Sequence, residues 1–105
     1  MTDYIIVFVT ASKEEEAVKI ANSIVDAKLA GCVNIVKNIR SIYRWQGKTE
    51  DENEVLMIIK TKKNLFQNLK KSIKELHSYS VPEIIALPIT EGSEDYLKWL
   101  DEETQ

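Results

Sequence analysis

The sequence predicts an α+β domain with a ferredoxin-like βαββαβ antiparallel sheet, an extended central hairpin and a C-terminal helix. Three observations predict it. Apolar residues switch between strand and helix periods in the order β-α-β-β-α-β, a polar turn at Gly47 joins the two middle strands, and a short amphipathic segment follows the last strand. Two interleaved right-handed crossovers then give a four-stranded sheet with both helices on one face.

The first strand, Tyr4 to Thr10, is β-branched and aromatic almost throughout, which marks a central strand buried on both faces. Ser12 stands three residues before Glu15 in a capping-box pattern, and Ala17, Ile20, Ala21, Ile24 and Ala27 follow at helical spacing. Glu14, Glu15 and Glu16 suit the positive end of that helix, and Gly31 is its expected stop. Cys32 to Gln46 reads as a strand with Val33, Ile35, Ile39, Tyr43 and Trp45 on one face, interrupted by Lys37 and Ser41. Lys48 to Asn53 is polar turn sequence around Gly47, and Glu54 to Thr61 is the returning strand. Leu65, Leu69, Ile73 and Leu76 form the apolar stripe of a second helix, Asn64 to His77. The last strand, Glu83 to Ile89, contains Pro88, which lacks a backbone donor and suits a sheet edge. Ser93 caps a final helix with Tyr96, Leu97, Trp99 and Leu100.

Residues 1–105 are read as a single domain with an ordinary composition, 44% apolar and 30% charged, so a self-sufficient core is expected. Cys32 is the lone cysteine, which rules out an internal disulfide and fits a reducing compartment. Tyr4 to Val9 is too short for a membrane span and no basic stretch precedes it, so a cytoplasmic location is expected and no membrane role. A net charge of −3 disfavours nucleic acid as a partner.

The hairpin arms look longer than the outer strands, so their ends project beyond the sheet. That ribbon carries Ile39, Ile42, Tyr43 and Trp45, and the helix-free sheet face also needs cover. Docking of neighbouring copies in closed cyclic symmetry meets both needs, and a closed homo-oligomer is expected. Trp99 in the last helix joins the hairpin residues as an interface candidate. The competing reading is a hairpin that folds back over its own sheet.

Gly31-Cys32-Val33-Asn34-Ile35, Ser41-Ile42-Tyr43-Arg44-Trp45-Gln46-Gly47, Lys60-Thr61, the stretch His77 to Ile85 and Tyr96-Leu97-Lys98-Trp99-Leu100 together resemble the CutA family, the divalent-cation tolerance proteins. The resemblance spans essentially the whole chain, with the motifs in the same order. It implies a ferredoxin-like fold, a tight cytoplasmic homotrimer and a role in tolerance of divalent metals, copper foremost. It also implies an architecture like that of the PII signalling proteins. The chain departs from the family's usual His-Pro-Tyr at His77-Ser78-Tyr79, and has Ser80 where an acidic or amide residue is common.

One histidine and one cysteine cannot build a multi-His/Cys metal site within a single chain. A subunit interface changes this, because His77 and Glu83 could meet a neighbour's Cys32 there; copper(II) would be favoured by intrinsic affinity order. The plainer readings are a helix-terminal His77, a small buried Cys32, and a Glu83 paired with a lysine. The acidic run Glu50, Asp51, Glu52 and Glu54 reads as a solvated hairpin turn, and the basic second helix as a solvated face. No nucleophile elbow, phosphate loop or dinucleotide fingerprint is present, so no enzyme is expected. Thr10-Ala11-Ser12-Lys13 lacks the paired cysteines of copper chaperones, and Val55 to Thr61 lacks the aromatics of RNA-recognition strands. The leading reading is therefore a trimer that binds divalent cations without catalysis. The alternative is a PII-like regulator or scaffold that binds a small molecule near Tyr43, Trp45, Arg40 and Arg44 and signals to a protein partner.

Overall fold

In the computed structural model, which describes residues 3–105, the chain runs β1 (Tyr4–Ala11), α1 (Glu14–Asp26), β2 (Cys32–Trp45), β3 (Lys48–Lys62), a 3₁₀ turn (Lys63–Leu65), α2 (Phe66–Leu76), β4 (Ile84–Pro88) and α3 (Glu94–Glu102). The first two residues of the predicted domain lie outside the described residues. The strands form one antiparallel sheet in the order β2-β3-β1-β4, the predicted arrangement, with β1 inside and β4 at an edge. No described helix is long and apolar enough to cross a membrane.

The core lies between the sheet and the first two helices. Val7 pairs with Ile59 and Val9 with Met57, and all four are fully buried beneath Ile20 and Ile24 of α1 and Leu69 and Ile73 of α2. Each such side chain contributes about 1.5–3 kcal/mol on burial. Thr61, also buried on this face, stays satisfied by donating to the Leu29 carbonyl at 2.6 Å.

Three local details differ from the sequence reading. Helix α1 ends at Asp26 rather than near Gly31, because Lys28 takes the left-handed conformation (φ 61°) that usually falls to glycine. The Lys28 amide donates to Val25 and the Leu29 amide to Ile24, closing a Schellman motif with Leu29 packed inside. Gly31 has another use: a β-carbon there would lie 2.4 Å from Leu100 Cδ1, so the glycine admits α3. Neither Ser12 nor Ser93 forms the expected side-chain cap; Lys13 occupies the N-cap of α1, and Ser93 that of α3 without a side-chain bond to the helix.

The hairpin differs most. Gln46 and Gly47, with φ of 51° and 81°, make a two-residue turn of the type whose twist matches paired strands, so β3 starts at Lys48 and the polar run 48–53 is strand rather than turn. A bulge then breaks the pairing: Val36 faces Leu56, but Ile39 faces Glu54, and Asn38 sits at φ 61°. The extra residue reverses the side of every later position. Ile39, Tyr43 and Trp45 therefore do not share the face of Val33 and Ile35, as simple alternation predicted; they lie on the helix-free side. Residues 48–54 of β3 have only β2 beside them, and the ribbon lengthens the molecule to 44 Å.

The helix-free face is apolar and open. One row runs Asn34, Ile58, Phe8, Ile85, and the next runs Cys32, Lys60, Ile6, Leu87. Ile85 and Leu87 are 52% and 48% exposed, and Val36 is 41% exposed.

Candidate functional site

A cleft of about 730 Å³ opens between the flank of the hairpin and the loop that leads from α2 to β4. Register explains its walls. Glu50, Glu52 and Glu54 occupy alternate positions of β3, so they share a side, and they face Tyr43, Ser41 and Ile39 of β2. Tyr79 and Glu83 close the cleft from the loop, and Trp45 bounds it toward the tip.

The loop is anchored by the only histidine. The His77 side chain is fully buried at the C-terminus of α2. Its Nε2 lies 2.7 Å from the Thr10 carbonyl and its Nδ1 accepts the Tyr79 amide at 3.1 Å, which assigns the neutral, Nε2-protonated tautomer. Glu16 of α1 accepts from the Ser78 amide at 3.0 Å and the Ser78 hydroxyl at 3.1 Å, and its Oε1 lies 3.9 Å from Nδ1. The first of these bonds depends on a residue other than proline at 78. Tyr79 stacks obliquely on His77, 4.8 Å between ring centres, and its hydroxyl donates to Glu54 Oε2 at 2.6 Å.

The field in the cleft is negative. Burial, then the hydrogen bond and charge of Glu54, hold the Tyr79 phenol far above its ordinary pKa. Burial, then repulsion from Glu54, raises the Glu83 carboxyl. Desolvation, then Glu52, Glu54 and Glu50, raise the Tyr43 phenol.

The anticipated ligands do not converge within the chain. Glu83 lines the cleft, and His77 stands behind its wall with both ring nitrogens engaged. Cys32 lies toward the opposite end of the sheet, its Sγ 3.8 Å from Asn34 Oδ1 and 4.0 Å from Lys60 Nζ, while Lys60 also bonds Asn34. Among the described residues, no three His, Cys, Asp or Glu side chains are grouped closely enough to hold one metal ion. Arg40 and Arg44, expected near a cleft, are on the far side of the ribbon: Arg40 forms a bidentate pair with Asp51 at 2.8 and 2.6 Å, and Arg44 donates to the Gly47 carbonyl. Ile42, Trp45 and Tyr43 are 65%, 42% and 38% exposed, while Ile39 is half-buried. Trp99 lies away from the hairpin tip, stacked on Tyr96 and close to Gly31.

Sequence reasoning missed Glu54, which is only 5% exposed, and Glu16. The period-two recurrence of Glu50, Glu52 and Glu54 was the available signal, hidden by the absence of any apolar alternation around it.

The sequence matches the family described as CutA1 divalent ion tolerance protein over residues 5–103. It is 50% identical over 99 residues to the divalent-cation tolerance protein CutA of Thermus thermophilus, covering 94% of this chain and 96% of that protein. It is also 50% identical over 101 residues to the chloroplastic protein CutA of Arabidopsis thaliana, covering 96% of this chain. The chain spans only 56% of that plant relative's length. The solved Cut A1 structure from Thermus thermophilus superposes with a TM-score of 0.95 at 48% identity, covering 97% of this chain and 99% of that one. The periplasmic CutA of Archaeoglobus fulgidus gives 0.94 at 39% identity, over 97% and 99% of the two chains. The chain therefore belongs to the CutA1 divalent ion tolerance family.

Proposed function

We propose that the chain serves divalent-cation tolerance, without catalysis, as a cytoplasmic homotrimer that binds divalent ions, copper(II) among them, at sites completed by the assembly. Membership of the family supports the tolerance role. The observation that carries the assembly is the open apolar sheet face, with Ile85 52%, Leu87 48% and Val36 41% exposed, on a chain that also projects Ile42 and Trp45 from its hairpin. Apolar surface of this kind is stable in water when another copy covers it, and closed symmetry halts growth. The lone Cys32 suits a reducing cytoplasm.

Within this reading Glu83 is the cleft-facing metal ligand. Cys32 reaches such a site only from a neighbouring copy, and His77 joins only by giving up one of its ring hydrogen bonds. Native mass measurement combined with a copper(II) isotherm tests the proposal. The expected result is a mass three times that of the chain, with binding weakened in Glu83→Gln and Cys32→Ala. A stable monomer overturns the assembly, and equal binding in Glu83→Gln, Cys32→Ala and His77→Ala overturns the ligand set.

A further inference from the structure

We propose that Glu16 is a positioning residue for the cleft: its two hydrogen bonds to Ser78 set the loop between α2 and β4 in the conformation that carries Glu83 to the cleft wall. The proposal deepens the function proposed above and rests on it in one respect, that Glu83 is a metal ligand. The loop has little of its own to fix it. It contains no glycine, and α2 runs directly into extended backbone at His77 (φ −82°, ψ 139°) rather than into a left-handed cap. Among the described residues, no backbone-to-backbone hydrogen bond closes a turn within 78–83. Yet this loop supplies Tyr79, Ser80, Val81 and Glu83 to the cleft. Its conformation is therefore set by side-chain bonds.

Consecutive residues fasten the loop, each to a different element. His77 donates through Nε2 to the Thr10 carbonyl of β1 at 2.7 Å, and the Tyr79 hydroxyl donates to Glu54 of β3 at 2.6 Å. Between them Ser78 binds α1: its amide donates to Glu16 Oε2 at 3.0 Å and its hydroxyl to Glu16 Oε1 at 3.1 Å. The bonds of His77 and Tyr79 to β1 and β3 leave from side-chain ends, with rotatable bonds between them and the backbone. The Tyr79 amide is held within the loop, by His77 Nδ1 at 3.1 Å. The Ser78 contact ties the loop's own amide to another element, so Glu16 grips the backbone itself. Two bonds from one residue to both oxygens of one carboxylate fix orientation as well as distance, as in a bidentate pair.

Glu16 differs from its neighbours in the first turn of α1. Glu14 lies out in solvent with a loose pair to Lys37 at 3.9 Å, and Glu15 is exposed. The Glu16 side chain is only 18% exposed and lies against the loop. The first turn of a helix favours a negative charge, and a charged acceptor makes the stronger hydrogen bond. Ala17 and Ile20, both fully buried, seat α1 in the core, so the acceptor stands on a rigid element. Serine at 78 supplies both donors; alanine would keep only the amide and proline neither.

Amide hydrogen exchange without metal and a copper(II) isotherm, both on the full-length native protein, test the proposal. Alanine favours helix, so α1 stays folded in Glu16→Ala. That variant should speed exchange of the Ser78 and Tyr79 amides about 10-fold, the size of one hydrogen bond to a charged acceptor. It should weaken copper(II) binding about 10-fold, as loss of a group that orients a metal ligand does. Glu16→Gln should recover most of both, because its carboxamide oxygen accepts from the Ser78 amide and its NH₂ donates to the Ser78 hydroxyl. Adding Ser78→Ala to Glu16→Ala should cost nothing further, since the two remove a shared interaction. Unchanged exchange in Glu16→Ala overturns the proposal. So does a Glu16→Gln as impaired as Glu16→Ala, which makes charge rather than bonding the contribution, or fully additive losses in the double variant. Glu83→Gln separates the two readings. Binding lost there but kept in Glu16→Ala overturns the positioning role; binding kept in Glu83→Gln overturns the ligand assignment, and the exchange comparison then decides the positioning alone.

Discussion

Removing one hydroxyl tests whether the loop after α2 is fastened to the hairpin through Glu54. Tyr79→Phe keeps the ring and its oblique contact with His77, and deletes the hydroxyl that lies 2.6 Å from Glu54 Oε2 and also bonds Ser12. A hydrogen bond to a charged acceptor contributes about 1.5–3 kcal/mol net. Tyr79 is half-buried, so water can replace part of its role, and the lower end, about 1.5 kcal/mol, applies. For a domain near this size that lowers Tm by roughly 6–12 °C. Calorimetry and guanidinium unfolding at one fixed protomer concentration are the assays, because an oligomer's Tm moves with concentration. The denaturant midpoint should fall while the slope holds. Alkaline pH gives a second arm. The folded phenol titrates above its ordinary value of 10.0, so the fold favours its neutral form. That contribution is complete below the unfolded value and is lost as pH rises toward the folded one. Tyr79→Phe should therefore flatten the alkaline loss of stability. A variant as stable as the parent at neutral pH, with the same alkaline slope, refutes the reasoning.

Three further variants probe the rest of the frame. Ile85→Asp combined with Leu87→Asp places charges on the open sheet face and should leave a folded monomer by sedimentation; an unchanged mass removes this face from the assembly. Gly31→Ala drives a methyl to 2.4 Å from the fully buried Leu100 and should cost about 1–3 kcal/mol in thermal unfolding, whereas a neutral result means α3 is not seated there. Lys28→Gly relieves a left-handed lysine and should stabilise by about 0.5–1 kcal/mol in denaturant unfolding, with no gain if the Schellman turn is absent.

The strands and helices were legible because burial writes its period into the residues. Tyr4 to Thr10, the stripe residues Leu69 and Ile73, and Pro88 at an edge all appear where pattern placed them, while Leu65 is buried from the 3₁₀ turn that precedes the helix. What stayed hidden was set by the backbone rather than by hydrophobicity. Lys28 and Asn38 take positive φ although neither is glycine, and each moves a boundary or a face. The ribbon 48–54 has no apolar alternation, since its polar residues are held by pairing alone; a two-residue turn, not composition, makes it strand. The site was half visible. His77, Tyr79 and Glu83 sit in one loop, but the contacts that give them meaning run to Thr10, Glu16 and Glu54, far away in sequence.

The bulge at Asn38 decides what the cleft is made of. Continued without it, the register of Val36 with Leu56 would set Asn38 against Glu54, Arg40 against Glu52 and Ile42 against Glu50. An arginine would then lie directly across from the acidic ladder, the cross-strand pairing that favours a sheet. The observed register gives this up. It spends roughly 1–2 kcal/mol on a left-handed Asn38, moves Arg40 to an exposed pair with Asp51 of the kind that contributes at most about 1 kcal/mol, and puts Ile39, Ser41 and Tyr43 opposite the glutamates. The bulge lies where the ribbon leaves the sheet, beyond the last pairing of β1 with β3. The bulge thereby exchanges one arginine–carboxylate pairing for another and turns Ile39, Tyr43 and Trp45 to the helix-free side, the side left open on the single chain.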